Sequence, residues 1–245
     1  MSLDIGTLAY INYTAKIKDV GEIIEVTVED EAKKLGVYDP AQRYEPKLVA
    51  IGEGWVLKGL DEALMTMSVG KKMSLEVPPE KGFGQRDPSK VKMISLRKFG
   101  EKASDLRIGN EVEIDNKIGI VRFVGSGRAQ IDFNHRLAGK TLLYEVELVK
   151  IVETDQNKIV ALIKRRIPME EEKLDFTIED DSIKIQLPNN LYLIEGIQII
   201  KRAISNDLFK FIKTIRKVYF IELYESKKPS EISTPKEEKI IQKQD

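Results

Sequence analysis

The residues that most often carry bond chemistry are few here and poorly spaced for it. The chain has no cysteine, which removes a thiolate nucleophile, a disulfide framework and a thiolate metal site. His135 is the single histidine, and a lone histidine is more often a packed structural residue than a ligand or a base. Asp61, Glu80 and Asp87 do not form the spaced carboxylate pair that glycoside hydrolysis needs. Lys164-Arg165-Arg166, followed by Glu170-Glu171-Glu172, reads as solvated charge at the end of a strand, with contact to RNA or the ribosome as the lesser reading. Met65, Met67 and Met73 suit a helix-and-strand core better than a binding surface. Thiol, thiolate-metal and paired-carboxylate chemistry therefore have no seat in this sequence.

The elements that would hold any site are easier to read. At 245 residues with 42% apolar content, the chain has enough for a packed core, divided among one to three domains. Forty basic and forty acidic residues cancel, so no global field attracts nucleic acid. Abundant Lys, Glu and Ile without Cys is a composition met in hyperthermophile proteins. No run of eighteen apolar residues occurs, and Met1-Ser2-Leu3-Asp4 lacks a signal-peptide pattern, so the expectation is a soluble, cytoplasmic protein with no membrane partner.

Strands are expected over 6–18, 23–28, 48–51 and 72–77, the last stopped by Pro78-Pro79. A helix is expected over 55–66, where Val56, Leu57, Leu60, Ala63 and Leu64 share a face. From Gln85 the pattern changes to a strand over 90–94, a short helix near 95–99, and three alternating runs over 111–114, 118–124 and 129–133. A long strand follows over 141–151. Beyond Glu153 the reading is a strand over 159–167 ending at Pro168, and a hairpin of 173–178 with 182–187. A helix over 191–205 follows, with Leu193, Ile194, Ile197, Ile200 and Ile204 inward, then a strand over 217–224. Residues 226–245, rich in Lys, Glu, Ser and Pro, read as a disordered tail.

Two blocks stand out. One runs Val56-Leu57-Lys58-Gly59-Leu60-Asp61-Glu62-Ala63-Leu64 and continues to Gly82-Phe83-Gly84. The other is Asn134-His135-Arg136-Leu137-Ala138-Gly139-Lys140-Thr141-Leu142 with the strand after it. Together they resemble the FKBP-type peptidyl-prolyl isomerases, in the SlyD-like branch that carries an inserted domain. The resemblance covers residues 6–152 and is most specific in the second block.

That resemblance implies an α+β fold, an antiparallel sheet wrapped around a short helix, made of residues 1–84 and 137–153. It also implies an insert-in-flap chaperone domain at 85–136. The implied activity is cis-trans isomerisation of X–Pro bonds in unfolded or nascent chains, in an apolar pocket that uses no cofactor and no metal. Matched position by position, Tyr13, Glu25, Val56, Leu57, Leu60, Phe83 and Tyr144 fall on the family's catalytic positions. Ile24 falls on a pocket wall, and Trp55 is either a pocket residue or an aromatic at the edge of the helix start. Three positions depart from the pattern: Phe83 lacks a hydroxyl, Glu25 stands where Asp is usual, and Lys47 sits near a normally apolar position. These motivate an alternative, a holdase with the fold and little catalysis. Residues 154–225 resemble the extra α+β domain of long archaeal FKBP-type isomerases, which implies homodimerisation or additional client binding. The metal-binding tail of SlyD is rich in His and Cys. Residues 226–245 have neither, so that property is not transferred.

Overall fold

The structure, a computed structural model, describes residues 3–167 and 174–226. It divides into two compact units, Met1–Thr154 and Asp155–Asp245. Expectations for Met1 and Ser2, for the Pro168 stop, for Glu170–Glu172, for the hairpin start at Lys173, and for 227–245 lie outside the described residues.

The first unit is organised by β1 (Leu8–Ile17), in which Ala9, Ile11, Tyr13, Ala15 and Ile17 point into the core. One edge of β1 is shared by two short antiparallel strands. Its C-terminal half meets β2 (Ile23–Val26), and its N-terminal half meets β3 (Lys47–Ala50). Between them lies α1 (Glu29–Lys34), with acidic residues in its first turn and basic ones in its last, as the helix dipole favours. After β3 comes α2 (Lys58–Leu64), then β4 (Lys72–Val77) and a 3₁₀ turn over Pro79–Lys81.

The chain then leaves this sheet and builds a second one. Strands β5 (Val91–Ser95), β6 (Glu111–Ile114), β7 (Lys117–Gly125) and β8 (Arg128–Asp132) pair antiparallel in the order β5-β8-β7-β6. Two-residue loops at Asp115-Asn116 and Ser126-Gly127 close the hairpins with φ of 51°, 59°, 50° and 71°, the left-handed turns that match strand twist. Leu106, Ile114, Val121, Ala129 and Ile131 form its own small core. The short helix read near 95–99 is a 3₁₀ run from Leu96 to Asp105, broken at Gly100.

The chain returns at β9 (Leu142–Ile151), which inserts between β1 and β4 and completes a five-stranded antiparallel sheet. Helix α2 packs on this sheet. It is shorter than the expected 55–66, because Leu57 is still extended at φ −57° and ψ 143° and the first helical residue is Lys58.

The second unit contains α3 (Asp155–Arg166), β10 (Asp175–Glu179), β11 (Ser182–Gln186), α4 (Ile197–Phe211) and β12 (Lys217–Ile221). β10 and β11 form the expected hairpin, and β12 adds parallel to β11. Two readings are corrected. The strand read over 159–167 is the C-terminal part of α3. Its β-branched isoleucines suggested a strand, but Ile159, Leu162, Ile163 and Ile167 fall three and four apart and are buried together. The helix read from 191 begins at Ile197, because Gly196 takes φ 80° and turns the chain. Leu193, placed on the buried face, is 96% exposed. Lys164-Arg165-Arg166 ends a helix rather than a strand. Arg166 Nε and Nη2 donate to Asp207 Oδ2 at 3.1 and 3.0 Å, which ties α3 to α4. No helix among the described residues is long and apolar enough to cross a membrane.

Candidate active site

Helix α2 lies under the candidate site residues. Leu60 and Leu64, four residues apart, are buried against the inner face of the first sheet. The extended Val56-Leu57 pair leads into the helix, half-buried and packed against the same core. Asp61 holds this approach in place. It is nearly buried on α2, and its Oδ1 accepts the Gly52 N–H at 2.8 Å while Oδ2 accepts the Gly54 N–H at 3.2 Å. The loop before Trp55 and Val56 is thereby pinned to the helix. In the sequence alone Asp61 reads as a carboxylate with no partner spaced for hydrolysis. The signal of its real task was a carboxylate adjacent to the inward Leu60, downstream of a loop with two glycines and donors to satisfy.

The wall is aromatic. Tyr13 on β1 and Tyr144 on β9 are both buried, and their ring centroids lie 5.6 Å apart at 50°. Adjacent strands place them there, since Ala15 is the direct partner of Tyr144 and Val146 of Tyr13. Thr27 secures β2 to this wall. Its Oγ1 accepts the Tyr13 N–H at 2.8 Å and lies 3.2 Å from Asn12 Oδ1. Burial, and secondarily the Glu25 carboxylate, push the Tyr144 phenol up to about 12 and the Tyr13 phenol higher still.

Polar groups gather at one rim. Lys47 Nζ donates to Tyr13 Oη at 2.9 Å and to Glu25 Oε1 at 3.0 Å. Ile24, beside Glu25, is half-buried against the core. A groove of about 260 Å³ flanks this rim, lined among others by Ile24, Glu25, Val37 and Tyr44.

The nine residues read as site positions thus divide. Tyr13, Leu60 and Tyr144 lie in one buried cluster, and Ile24, Val56 and Leu57 pack against it. Glu25 joins through Lys47 and the phenols. Trp55 is half-buried in the loop that Asp61 pins. Phe83 is engaged elsewhere: 36% exposed, it stacks on His135 with centroids 4.4 Å apart and planes 9° from parallel. His135 Nδ1 in turn accepts the Leu137 N–H at 3.2 Å. The stack joins the strand-end segment leaving the first sheet to the segment returning to it, beside a bond from Gly139 N–H to Gly84 O of 2.8 Å. Among the described residues no group of three or more His, Asp or Glu side chains is placed to hold a metal ion.

Comparison with known proteins fits this arrangement. Residues 155–225 match the family described as FKBP26_C-terminal. A short-type peptidyl-prolyl cis-trans isomerase of Methanocaldococcus jannaschii is 29% identical over 143 residues, covering 58% of this chain and 90% of the relative. A probable FKBP-type 16 kDa peptidyl-prolyl cis-trans isomerase of Pseudomonas fluorescens is 34% identical over 111 residues, covering 43% and 73%. The FKBP-type isomerase SlyD of Treponema pallidum is 26% identical over 159 residues, covering 63% and 81%. Residues 3–149, well over half of the chain, match the FKBP-type peptidyl-prolyl cis-trans isomerase family, and with an antiparallel sheet closing on a short helix beneath two buried tyrosines the chain belongs to that family.

Proposed function

We propose that this isomerase accelerates rotation about X–Pro bonds in unfolded or nascent proteins at the surface formed by Tyr13, Tyr144, Leu60, Val56, Leu57 and Ile24. Trp55, Phe83 and Glu25 act at its margin. The observation that carries the reading is the convergence of the first six residues on one apolar cluster. Uncatalysed rotation has to break amide resonance, with a barrier of about 18–20 kcal/mol. The twisted amide separates less charge than the planar one, so an apolar, water-poor surface favours it over the ground state. Each 1.4 kcal/mol of that preference gives about tenfold in rate. No proton transfer is needed, which suits a site whose two phenols hold their protons far above neutrality.

The insert, residues 85–136, acts as the chaperone part, capturing unfolded segments and passing them to the pocket. A groove of about 810 Å³ in it, lined by Phe99, Leu106, Val112 and Ile114 between charged side chains, supports that role. So do the exposed side chains of Met93, Ile108, Ile118 and Phe123. Residues 154–225 serve homodimerisation or further client binding. Leu193, Ile199 and Tyr224, 96%, 76% and 74% exposed, support an interaction surface there. The cysteine-free chain suits a cytoplasmic setting.

The second reading, a holdase with little catalysis, is favoured by one observation: Phe83 is stacked on His135 and offers no hydroxyl to a substrate. The deciding experiment measures isomerisation of a short X–Pro peptide and of a proline-limited refolding protein, with the full chain and with a variant lacking residues 85–136. Acceleration of both by the full chain, with the variant failing mainly on the protein, is the expected result. Suppressed aggregation without acceleration of either would establish the holdase. Sedimentation of residues 1–153 against the full chain tests dimerisation, which equal association states would remove.

A further inference from the structure

The insert is joined to the first sheet by two connections, and the cores of the two sheets are separate. On two independent connections such a part would swing, since relative motion is the rule where no large apolar interface joins two folded parts. Here the connections are bonded to each other along their length. Beside the Phe83–His135 stack and the bond from Gly139 N–H to Gly84 O lie further links. Phe133 N–H donates to Lys90 O at 3.0 Å. The Asn134 side-chain amide takes both backbone groups of Asp87: Oδ1 accepts its N–H and Nδ2 donates to its carbonyl, each at 2.9 Å. Arg86 Nη2 donates to Asp132 Oδ2 at 2.7 Å.

Asp132 is the centre of this network. It ends β8 opposite Val91, the first residue of β5, where both connections enter the second sheet. Its side chain is only 4% exposed, so its charge needs partners. Oδ2 accepts from Arg86 and, at 3.4 Å, from Arg122 Nε. Oδ1 accepts the Asn134 N–H at 3.1 Å and Asn134 Nδ2 at 2.7 Å. Burial works against ionisation, but the Asn134 donors and then the two arginines outweigh it and hold the carboxyl below the usual carboxylate range. A carboxylate only accepts. It therefore turns the amide nitrogen of Asn134, not the oxygen, toward itself, which leaves the amide in the one orientation that serves both groups of Asp87.

We propose that Asp132 is a positioning residue of this isomerase: by clasping Arg86 on the outgoing connection and Asn134 on the returning one, it makes the two a single stem that holds the insert in one orientation toward the substrate site, so that a captured chain is delivered there. The proposal rests on the reading of residues 85–136 as the part that captures unfolded chains. A short peptide needs no delivery and does not sense the stem. A refolding protein does.

The test compares the full chain, D132N, R86Q and R86C/G139C on a short X–Pro peptide and on a proline-limited refolding protein, with amide NMR relaxation of the same samples. D132N keeps the shape of the side chain and removes its charge. In D132N and R86Q, kcat/KM for the peptide should stay at the parent value. For the protein it should fall about tenfold, as the effective concentration of captured chain at the site drops. Insert amides should then tumble separately from those of the first sheet, whereas in the parent both share one correlation time. The double variant supplies a switch within one chain, because a Cβ at Gly139 would lie 3.4 Å from that of Arg86, close to the separation in a disulfide. The left-handed φ of 75° at Gly139 strains both redox states alike. Oxidised, this variant should match the parent; reduced with dithiothreitol, it should match R86Q. A merely structural clasp would lower the unfolding midpoint without parting the peptide rate from the protein rate. That result, or one common correlation time in D132N and R86Q, would overturn the proposal. A protein rate that deletion of residues 85–136 leaves unchanged would instead remove the chaperone reading and the proposal with it. Dispersed insert signals show that each variant is folded. Should D132N lose them, R86Q, whose altered side chain is half exposed, and the redox pair decide the matter.

Discussion

Tyr13 and Tyr144 keep their protons to a higher pH than exposed phenols do, first because burial penalises the phenolate and then because Glu25 repels it. The sign of the resulting pH dependence follows from linkage. In the unfolded chain a tyrosine titrates near 10, whereas the folded Tyr144 holds its proton to about 12. Between those values the folded state binds more protons than the unfolded one. The contribution is therefore fully present below pH 10 and falls as pH rises toward about 12, by about 1.4 kcal/mol per unit of separation. We expect the urea midpoint of the wild type to drop more steeply from pH 10 to 12 than that of Y13F/Y144F; parallel profiles would contradict the burial of these rings. Much at this scale was legible before the fold. Leu60, Val56 and Leu57 announce themselves by helical spacing, and Tyr13 by its alternation with Ile11. Lys47, Asp61 and the Phe83–His135 stack were not legible as contacts, since each depends on a partner brought near by strand pairing or by the return of the insert.

Helix α2 and strand β4 approach unusually closely at Gly59. A Cβ there would come within 2.9 and 3.1 Å of the two Val77 methyl carbons. Alanine would gain up to about 1 kcal/mol in helix propensity. Against this, Val77 is fully buried and its branched side chain is stiff, and such overpacking costs about 1–3 kcal/mol. The second term wins, so Gly59→Ala should lower the unfolding midpoint; a raised midpoint would show that α2 can move off the sheet. Element boundaries explain where sequence reading failed. Period-two strands such as β1, β4 and β8 were found within one or two residues, because one buried face writes itself into alternate positions. The Ile159–Ile167 run, helical through Arg166, reads as a strand in the sequence because its β-branched composition outweighs its spacing. The start of α4 was misplaced because Leu191, Leu193 and Ile194 continue its apolar pattern beyond the Gly196 turn.

The molecule as a whole holds two units, each with a buried core of its own. In the second, Ile159, Leu162, Ile163, Ile183, Ile185, Ile204 and Leu208 are buried to within 1%. A unit with that core should fold alone. Residues 155–226 made separately are expected to show a cooperative thermal transition and dispersed NMR amide signals, and a collapsed spectrum would mean that this core needs the rest of the chain. The order in which the first unit is assembled has a further consequence. Its central strand, β9, is encoded after the whole second sheet, yet it is the strand that joins β1 to β4. On a ribosome adding about 5–20 residues per second, the stretch from Val77 to Leu142 takes roughly 3–13 s. For that time β1 and β4 lack the one strand that pairs with both, while the β5–β8 meander, whose pairings are local, has time to fold first. A protein whose relatives are named peptidyl-prolyl cis-trans isomerases thus carries a waiting interval in its own biosynthesis.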